Sequence, residues 1–464
     1  MSTSASSSKI ARHVSKVCHV DEQQLYLSER VWACAWHFSG NLIASAGEDK
    51  TIKIWKCEEE ENKQNNGEIG ATSEVSPLSI SKIGTIRGDQ TRSIRWVCFS
   101  PCGRFLAAAS FDATIIIYER NKSSNEFEEL HKLEGHECEV KCCSFSISGH
   151  YLATCSRDKT VWIWKVPFEN DDEDYEVLSI LQQHTADVKF VVWHPREDIL
   201  VSGGYDCSIR FYIFDGDEWV TAQAIADAHS ETVWSATFDN LTGHHLATVG
   251  GDKTIKIWSK EKRPEEGQSW CSWKIVVNLP ILETRWPLYA VVWNCDGIIA
   301  VGGGDCLVRL FVFDVENSAL SLLSSIRIPS EINCLAWRPK QQSEQTTNYL
   351  AVASDDGHLH FLQIDSQCIN DGFGAINGNI EAMAIEGDNK NEADEEAELV
   401  LYKEGEGLSG KKGEKLRTGW ISRQIDWSCY LLLLTSTETL PLPHHLLLAL
   451  WRFSPLSFKW HLTG

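Results

Sequence analysis

Short apolar runs alternate with polar turns along most of this chain. Between Val140 and Trp164 the pattern predicts three strands, of which the first is Val140–Phe145 and the second runs from Tyr151 to Cys155. A Ser-Gly pair and a tight polar segment predict the two turns between them. Three short strands cannot bury one face alone, so this unit predicts further copies of itself.

An Asp six positions before an aromatic residue marks each copy of the unit. Seven such pairs lie about 46 to 63 residues apart, whereas a four-stranded propeller blade has a usual period of roughly 40–45 residues. The surplus length is expected in loops on the rim. The pairs are Asp49/Trp55, Asp112/Tyr118, Asp158/Trp164, Asp206/Tyr212, Asp252/Trp258, Asp305/Phe311 and Asp355/Phe361. This repetition predicts an all-β fold, a seven-bladed WD-repeat β-propeller.

A histidine upstream of the Asp completes the motif in three units, and Gln90 replaces it in the second unit. In such a blade the Asp carboxylate can accept hydrogen bonds from the histidine ring and from backbone N–H groups. A Ser or Thr hydroxyl then links the histidine to the aromatic residue, and each bond contributes on the order of 1 kcal/mol net. The predicted structural network comprises His136, Asp158, Trp164, His184, Ser202, Asp206, His229, Asp252 and Trp258. Because the same trio recurs around the ring, we interpret it as part of the fold and reject a His-Asp-Ser catalytic site.

The repeats divide the chain into four segments. Residues 1–8 are predicted to be disordered, residues 9–365 to form the propeller, residues 366–420 to form a flexible acidic linker, and residues 421–464 to form a tail of unknown structure. The seventh unit lacks an outer strand, and we expect His13–Val20 to supply it and close the ring. A frayed N-terminal arm is the alternative. The tail is either an amphipathic docking segment or poorly ordered.

The net charge, the cysteines and the apolar runs argue against three kinds of binding, namely to nucleic acid, to metal and to a membrane. The formal net charge is -22, and a protein that binds duplex nucleic acid directly would more often be basic. Sixteen cysteines without a signal peptide or a C-x-x-C pair predict reduced, buried thiols, as at Cys34 and Cys143, and no metal or cofactor site. The longest apolar runs of the tail are far shorter than the ~18–20 residues of a membrane-spanning helix. The sequence therefore predicts no direct contact with nucleic acid or membrane.

Two repeat positions should face the same side of the disc, because side chains at one position of a repeated strand point the same way. The first position follows the first apolar residue of each inner strand, and the second precedes the motif Asp. The first set is Trp32, Arg95, Lys141, Lys189, Trp234, Tyr289 and Asn333, and the second is Glu48, Phe111, Arg157, Tyr205, Gly251, Gly304 and Ser354. Aromatic residues and Arg anchor many protein interfaces. We predict that the Arg, Lys and aromatic members bind an acidic or carboxylate-ended peptide, the alternative for each being a solvated rim residue.

Several segments resemble one protein family. They are SFDAT, LEGHECEVK, YLATCSRDKTVWIW, VVWHP, ETVWS and NCLAWRP. These segments resemble the WD-repeat subunit of the cytosolic iron–sulfur protein assembly machinery, over about residues 12–363. The resemblance implies a non-catalytic scaffold in the cytoplasm and nucleus that helps to deliver 4Fe-4S clusters to apoproteins.

The same resemblance implies particular partners. Besides the apoprotein clients, they are a large helical-repeat adaptor, a small bridging adaptor and a hydrogenase-like cluster carrier. In that family the Arg of the CSRD turn, here Arg157, is a key interaction residue. Some family members also carry a co-chaperone-binding tripeptide where this chain has Phe211-Tyr212-Ile213, without the expected cation. Leu401-Tyr402-Lys403 in the tail is a weak match to that tripeptide.

Two other classes of protein fit the sequence less well. A generic WD-repeat adaptor, such as a ubiquitin-ligase substrate receptor, often has Asp directly after the motif Trp, whereas Trp55 here precedes Lys56. An enzymatic or metal-binding propeller would need a non-repeating cluster of carboxylates, His or Cys at the channel. The repeated structural set is the only such group that the sequence pattern indicates.

Overall fold

A computed structural model describes residues 17–18, 29–59, 78–121, 126–167, 174–262, 270–340 and 347–365. All regular structure in these residues is β-strand. No helix able to cross a bilayer occurs in this part of the chain. The predicted disordered N-terminus, the acidic linker, the C-terminal tail and Leu401-Tyr402-Lys403 lie outside the described residues.

The strands form seven antiparallel four-stranded sheets, the blades of a propeller, and confirm the predicted fold. Within each blade the chain runs from the innermost strand outward. Blade 1 contains β2 (Val31–Trp36), β3 (Leu42–Gly47), β4 (Ile52–Glu59) and β5 (Leu78–Ile86). Blade 2 contains β6 (Ile94–Phe99), β7 (Phe105–Ser110), β8 (Ile115–Arg120) and β9 (Phe127–Leu133). Blade 3 contains β10 (Val140–Phe145), β11 (Tyr151–Ser156), β12 (Val161–Lys165) and β13 (Glu176–Leu181).

The remaining blades follow the same plan. Blade 4 contains β14 (Val188–Trp193), β15 (Ile199–Gly204), β16 (Ile209–Phe214) and β17 (Trp219–Ile225). Blade 5 contains β18 (Val233–Phe238), β19 (His245–Gly250), β20 (Thr254–Lys260) and β21 (Trp273–Pro280). Blade 6 contains β22 (Leu288–Trp293), β23 (Ile298–Gly303), β24 (Leu307–Asp314) and β25 (Ala319–Arg327). Blade 7 contains β26 (Ile332–Trp337), β27 (Thr347–Ser354), β28 (Leu359–Asp365) and β1 (Val17–Cys18).

The N-terminal segment closes the ring, as predicted. Strand β1 pairs antiparallel with β28, so that Val17 lies opposite Leu362 and Cys18 lies opposite Phe361. The described part of this outer strand is two residues long, shorter than the expected His13–Val20. Because the first and last strands share one sheet, the outer edge of β28 is covered at Phe361 and Leu362.

The hydrophobic core lies between the blades. Seven clusters of buried side chains each join facing strands of neighbouring blades, including one that joins blade 7 to blade 1. Strands β3 and β7 are buried at all six positions, and their small residues let both neighbouring blades approach closely. Trp55 and Phe361 are almost fully buried in the closing cluster. Burying such a side chain contributes about 2–3 kcal/mol, so each blade is stabilised mainly by its neighbours.

Each innermost strand carries a β-bulge at its second residue. In all seven blades the pairing register shifts between the first and third residues of this strand. The skipped residue has no partner across the ladder, and a bulge changes the direction of its side chain. The bulge residues are Trp32, Arg95, Lys141, Lys189, Trp234, Tyr289 and Asn333. The first predicted surface set therefore occupies one repeated structural position at the mouth of the channel.

The turn between the second and third strands has the same geometry in every blade. The residue after the motif Asp has a φ between 60° and 79°. The residue before the motif Asp donates its backbone N–H to the carbonyl of the residue that immediately precedes the innermost strand. These hydrogen bonds are 2.8 to 3.1 Å long. This bond holds the turn against the start of the innermost strand. The two predicted surface positions consequently lie side by side on one face of the disc, which we call the top face.

The seventh blade departs from the predicted pair Asp355/Phe361. The residue with positive φ there is Gly357, at 79°. The backbone N–H that meets the carbonyl of Glu331, at 3.0 Å, belongs to Asp355. The motif residue is therefore Asp356, and the prediction was wrong by one position because two adjacent Asp residues offer the same sequence pattern.

This correction also changes one member of the predicted top-face set. Leu362, six residues after Asp356, takes the place of the motif aromatic residue and is buried. Ser354, which was expected on the top face, is fully buried. Asp355 takes the surface position instead, so the seventh blade presents a carboxylate there.

Candidate protein-interaction surface

A buried polar network supports the top-face turn of blade 3. His136 Nδ1 lies 2.7 Å from Asp158 Oδ2, and His136 Nε2 lies 2.9 Å from Thr154 Oγ1. The same hydroxyl accepts a hydrogen bond from Trp164 Nε1 at 3.0 Å. The loop, the turn and two strands are thereby joined through side chains.

Blades 4 and 5 contain equivalent networks. His184 lies 2.8 Å from Asp206 and 2.7 Å from Ser202. In blade 4 the Ser202 hydroxyl donates to the Tyr212 hydroxyl at 3.3 Å. The blade 5 distances are 3.0 Å for His229 to Asp252, 2.8 Å for His229 to Thr248 and 3.0 Å for Trp258 to Thr248. The His, Asp and Ser/Thr side chains of each trio are hydrogen-bonded to one another within one blade. The trio recurs because each blade uses it to hold the same turn.

The carboxylates of these networks are strongly stabilised in their ionised form. Burial alone would raise the pKa of Asp158, but hydrogen bonds from His136 and Thr160 lower it to about 2. Equivalent hydrogen bonds hold the pKa of Asp206 and of Asp252 well below the ordinary range. The ionised carboxylate can therefore accept bonds from the ring and the turn at neutral pH.

Blades 1, 6 and 7 lack the loop histidine and replace it with a cation or imidazole from the third strand. Lys53 Nζ lies 2.5 Å from Asp49, and Arg309 Nη2 lies 2.6 Å from Asp305. His360 Nε2 in blade 7 lies 2.9 Å from Asp356 Oδ2. These three residues stand at one register position, four residues after the motif Asp. The sequence-based reasoning missed this substitution because it searched upstream of the Asp for a histidine.

Blade 2 uses a neutral pair. Gln90 Nε2 donates to the Tyr118 hydroxyl at 2.9 Å, while Asp112 accepts from the backbone N–H groups of Thr91 at 2.7 Å and Thr114 at 3.2 Å. In this blade, backbone N–H groups hold the Asp112 carboxylate, and no charged side chain replaces the histidine. The same turn geometry is therefore stabilised in four ways: by a loop histidine, by a Lys or Arg of the third strand, by a histidine of the third strand, or by a neutral Gln-Tyr pair.

Cations and aromatic rings alternate on the top face of blades 1 to 3. Lys141 Nζ lies 4.2 Å from the centre of the Phe111 ring, and the Arg92 guanidinium lies 5.7 Å from the same ring. The Arg95 guanidinium lies 5.3 Å from the Trp32 ring. Each ring therefore lies against a cation, and Arg95 also donates from Nη1 to the carbonyl of Trp32 at 3.4 Å.

An aromatic row continues across blades 4, 5 and 6. Tyr205 and Trp234 have ring centres 5.9 Å apart, and Trp234 and Tyr289 have ring centres 5.0 Å apart. Lys189 Nζ lies 3.7 Å above the Tyr205 ring. Trp286 is about half exposed beside this row. These rings provide the apolar contact area that anchors protein interfaces.

Arg157 lies on the top face and is well exposed. Its guanidinium Nη1 lies 3.4 Å from the carboxylate of Glu139, and Arg92 approaches the same carboxylate at 3.2 Å from the neighbouring blade. A hydrogen bond from its own backbone N–H, together with Lys141, Arg92 and Arg157, lowers the pKa of Glu139. Glu139, which the sequence analysis did not single out, thus links blades 2 and 3 and orients Arg157.

The opposite side of the top face is acidic. Asn333 donates to the carboxylate of Asp355 at 2.7 Å, and Arg30 lies 3.4 Å from the same carboxylate. Partial burial and the charge of Asp355 raise the pKa of Glu331. The top face therefore carries cations on blades 2 to 4 and carboxylates on blade 7, so its charge is distributed asymmetrically.

The cysteines and carboxylates of the described residues do not assemble into a recognisable metal centre. No group of three or more His, Cys, Asp or Glu side chains within the described ranges is placed to hold a metal ion. Cys34 and Cys143 are buried in the cores between blades. Burial raises the pKa of Cys143 well above its ordinary value, which favours the neutral thiol.

Comparisons with known proteins agree with this architecture. The family described as "WD domain, G-beta repeat" matches residues 21–56, 80–119, 127–165, 175–212 and 222–259. Over 342 residues the chain is 43% identical to the probable cytosolic iron-sulfur protein assembly protein CIAO1 homolog of Caenorhabditis elegans, which covers 73% of this chain and 95% of that protein. This chain belongs to the WD-repeat family of cytosolic iron–sulfur protein assembly proteins.

Two fungal members of the iron–sulfur assembly family show how far the likeness extends. The chain is 34% identical over 359 residues to the probable cytosolic iron-sulfur protein assembly protein 1 of Vanderwaltozyma polyspora, covering 72% of this chain and 95% of that protein. It is 37% identical over 324 residues to a probable cytosolic Fe-S cluster assembly factor of Schizosaccharomyces japonicus, covering 66% of this chain and 48% of that protein. The resemblance drawn from the sequence segments is thereby confirmed.

Proposed function

We propose that this protein is a non-catalytic scaffold of the cytosolic iron–sulfur protein assembly machinery, which helps to deliver 4Fe-4S clusters to cytosolic and nuclear apoproteins. The asymmetric top face supports this function most directly. Three cationic bulge positions on neighbouring blades adjoin a continuous row of aromatic rings, on a chain whose formal net charge is -22. Such a surface is complementary to an acidic or carboxylate-ended protein segment.

The networks below the top face support a scaffold rather than an enzyme. The His-Asp pairs that could be mistaken for a catalytic centre are buried and hydrogen-bonded within single blades. They hold the turns that present Phe111, Arg157 and Tyr205. Rigid presentation reduces the conformational entropy that binding must overcome.

We infer four kinds of partner from the family and from the charge of the top face. They are a large helical-repeat adaptor, a small bridging adaptor, a hydrogenase-like cluster carrier and apoprotein clients. The names of the relatives place those proteins in the cytosol, and we propose a cytosolic and nuclear location for this chain. The protein needs no cofactor of its own in this role.

Affinity purification of the full chain from eukaryotic cells, followed by quantitative mass spectrometry, tests the proposal. We expect the two adaptors to be recovered with the wild-type protein. Arg157→Glu should reduce their recovery at least about tenfold, because one charge is reversed at an exposed interface position. Its free energy of unfolding should change by less than about 1 kcal/mol, as is usual for a surface substitution.

Lys82→Glu is the matched control, because Lys82 is an exposed cation of the outer strand β5, away from the top face. Recovery with this variant should equal that of the wild-type protein. Recovery of a ubiquitin-ligase adaptor in place of the iron–sulfur adaptors would refute the proposed role. Undiminished recovery with Arg157→Glu would refute the proposed surface.

A further inference from the structure

Three neighbouring blades place a cation at the same bulge position. Arg95, Lys141 and Lys189 are the second residues of β6, β10 and β14. The other four blades carry Trp, Trp, Tyr and Asn at this position. Because the innermost strands line the channel, positive charge is concentrated on one arc of its mouth.

Each of these cations rests on an aromatic ring and retains capacity to bind an anion. The Lys141 and Lys189 ammonium groups lie 4.2 and 3.7 Å from the centres of their rings. The nearest ion pair of Lys189 among the described residues is with Asp187, at 3.9 Å, beyond the distance of a good hydrogen bond. A ring face attracts a cation but accepts none of its N–H groups strongly.

The local charges are unbalanced. Burial, with the charges of Lys141 and Arg95, lowers the pKa of Lys189 to about 8. Burial likewise lowers the pKa of Lys141 and of Arg95. Glu139 and Asp187 are the carboxylates that act in the opposite direction on Lys141. An anion at the channel mouth would remove the mutual repulsion of the three cations.

We propose that Arg95, Lys141 and Lys189 form a binding site for a tetrahedral oxyanion with two negative charges, that is, a free or esterified phosphate. Three cations at the same position of neighbouring innermost strands, close enough for the charges of Lys141 and Arg95 to act on Lys189, match a dianion better than a single carboxylate does. The lysines are compact point charges, which bind phosphate without the planar fork that a carboxylate prefers. The three cations also belong to the surface proposed above for an acidic partner, so this site rests on that proposed function and names the anion that the surface binds.

Titration of the purified full chain with inorganic phosphate, followed by isothermal calorimetry at constant ionic strength and pH 7, tests the proposal. We expect one saturable site with a Kd on the order of 1 mM. Lys141→Gln and Lys189→Gln should each raise this Kd by about tenfold, because each removes one charged donor. Lys82→Gln, at an exposed position of the outer strand β5, is the matched control and should leave it unchanged.

A second readout follows the ammonium group itself. Because Lys189 is protonated below a pKa of about 8, phosphate should raise that pKa in an NMR titration of the lysine side chain. Binding should accordingly weaken between about pH 8 and pH 10, a range in which phosphate itself keeps both negative charges. Absence of phosphate binding, an equal affinity for acetate, or an equal loss in Lys82→Gln would overturn the proposed site.

The source of the phosphate can be distinguished in the same assay. Inorganic phosphate is compared with a short phosphoserine peptide and its unphosphorylated form. Tighter binding of the phosphopeptide indicates a phosphorylated partner, and equal or tighter binding of inorganic phosphate indicates a free anion. Both results support the oxyanion site, whereas an unphosphorylated peptide that binds as tightly as the phosphopeptide and inorganic phosphate contradicts it. Since no partner protein is present, failure here leaves the purification experiment with Arg157→Glu unaffected.

Discussion

The substitution Asp206→Ala tests the role of the buried networks. Asp206 accepts hydrogen bonds from His184 Nδ1 at 2.8 Å, the Thr185 backbone N–H at 3.1 Å, and the Ser208 backbone and hydroxyl groups at 3.1 and 2.8 Å. Four accepted bonds at about 1 kcal/mol each give a loss of about 4 kcal/mol. The His184 side chain is fully buried, and loss of the carboxylate would leave its Nδ1 with only the weaker contact to the Ser208 hydroxyl at 3.4 Å.

Urea unfolding followed by tryptophan fluorescence measures this loss. Asp217→Ala is the matched control, because Asp217 is an exposed carboxylate of the same blade. We expect the control to change the free energy of unfolding by less than about 0.5 kcal/mol, and Asp206→Asn, which keeps one acceptor oxygen, to lie between the two alanine variants. If Asp206→Ala and Asp217→Ala unfold at the same urea concentration, the networks do not hold the blades.

Three further predictions concern the other blades. Arg309→Met should destabilise the protein by about 3 kcal/mol, because it leaves the largely buried Asp305 without its cation, and adding Asp305→Asn should restore part of the thermal stability. Burial lowers the pKa of His229 from 6.5 in the folded protein. The neutral ring therefore makes its full contribution to the free energy of unfolding above pH 6.5. This contribution should be lost as the pH falls from 6.5 toward the pKa of the folded state. Protection factors of blade 5 amides, which correct for the intrinsic pH dependence of hydrogen exchange, measure this decrease between pH 7.5 and 5.5, and equal protection factors would contradict it. Asp356→Ala should lower the melting temperature well below that of Asp355→Ala, whereas the reverse order would support the original alignment of the seventh blade.

The fold could be predicted from the sequence because the turn motif that defines each blade is local and is repeated along the chain. A turn that needs Asp, followed six positions later by a buried ring, leaves the same pattern in blades 1 to 6. In blade 7 the adjacent residues Asp355 and Asp356 are both candidates for the motif position, and the positive φ of Gly357 and the backbone bond of Asp355 show that Asp356 holds the turn. The aromatic position of that blade is Leu362, which the search for a ring could not find.

The candidate interaction surface was harder to predict from the sequence, because it depends on contacts between blades. The bulge positions were found by counting from the first apolar residue, but the bulge itself is visible only in the pairing register. Glu139 was missed because its partners Arg92 and Arg157 lie on both sides of a blade boundary. Lys53 and Arg309 were missed because a charged residue in a strand normally indicates a solvent-facing position.

The physical features of the top face suit the scaffold role that we propose. The turns that carry Phe111, Arg157 and Tyr205 are held by backbone bonds of 2.9 to 3.0 Å to the start of the innermost strands. Charged and aromatic groups are therefore displayed on a rigid support, with the cations of blades 2 to 4 across the channel from Asp355. This separation of charge favours one orientation of a bound partner.

The location of the partner on the propeller is the most direct test of the proposed role. Hydrogen–deuterium exchange of the full chain, alone and in complex with the purified adaptors, compares protection on the two faces of the disc. We predict protection in peptides that contain Arg95, Lys141, Arg157 and Lys189, with unchanged exchange in the opposite turns between the first and second strands. Protection confined to those opposite turns or to the outer strands, with no change at the top face, would contradict the account.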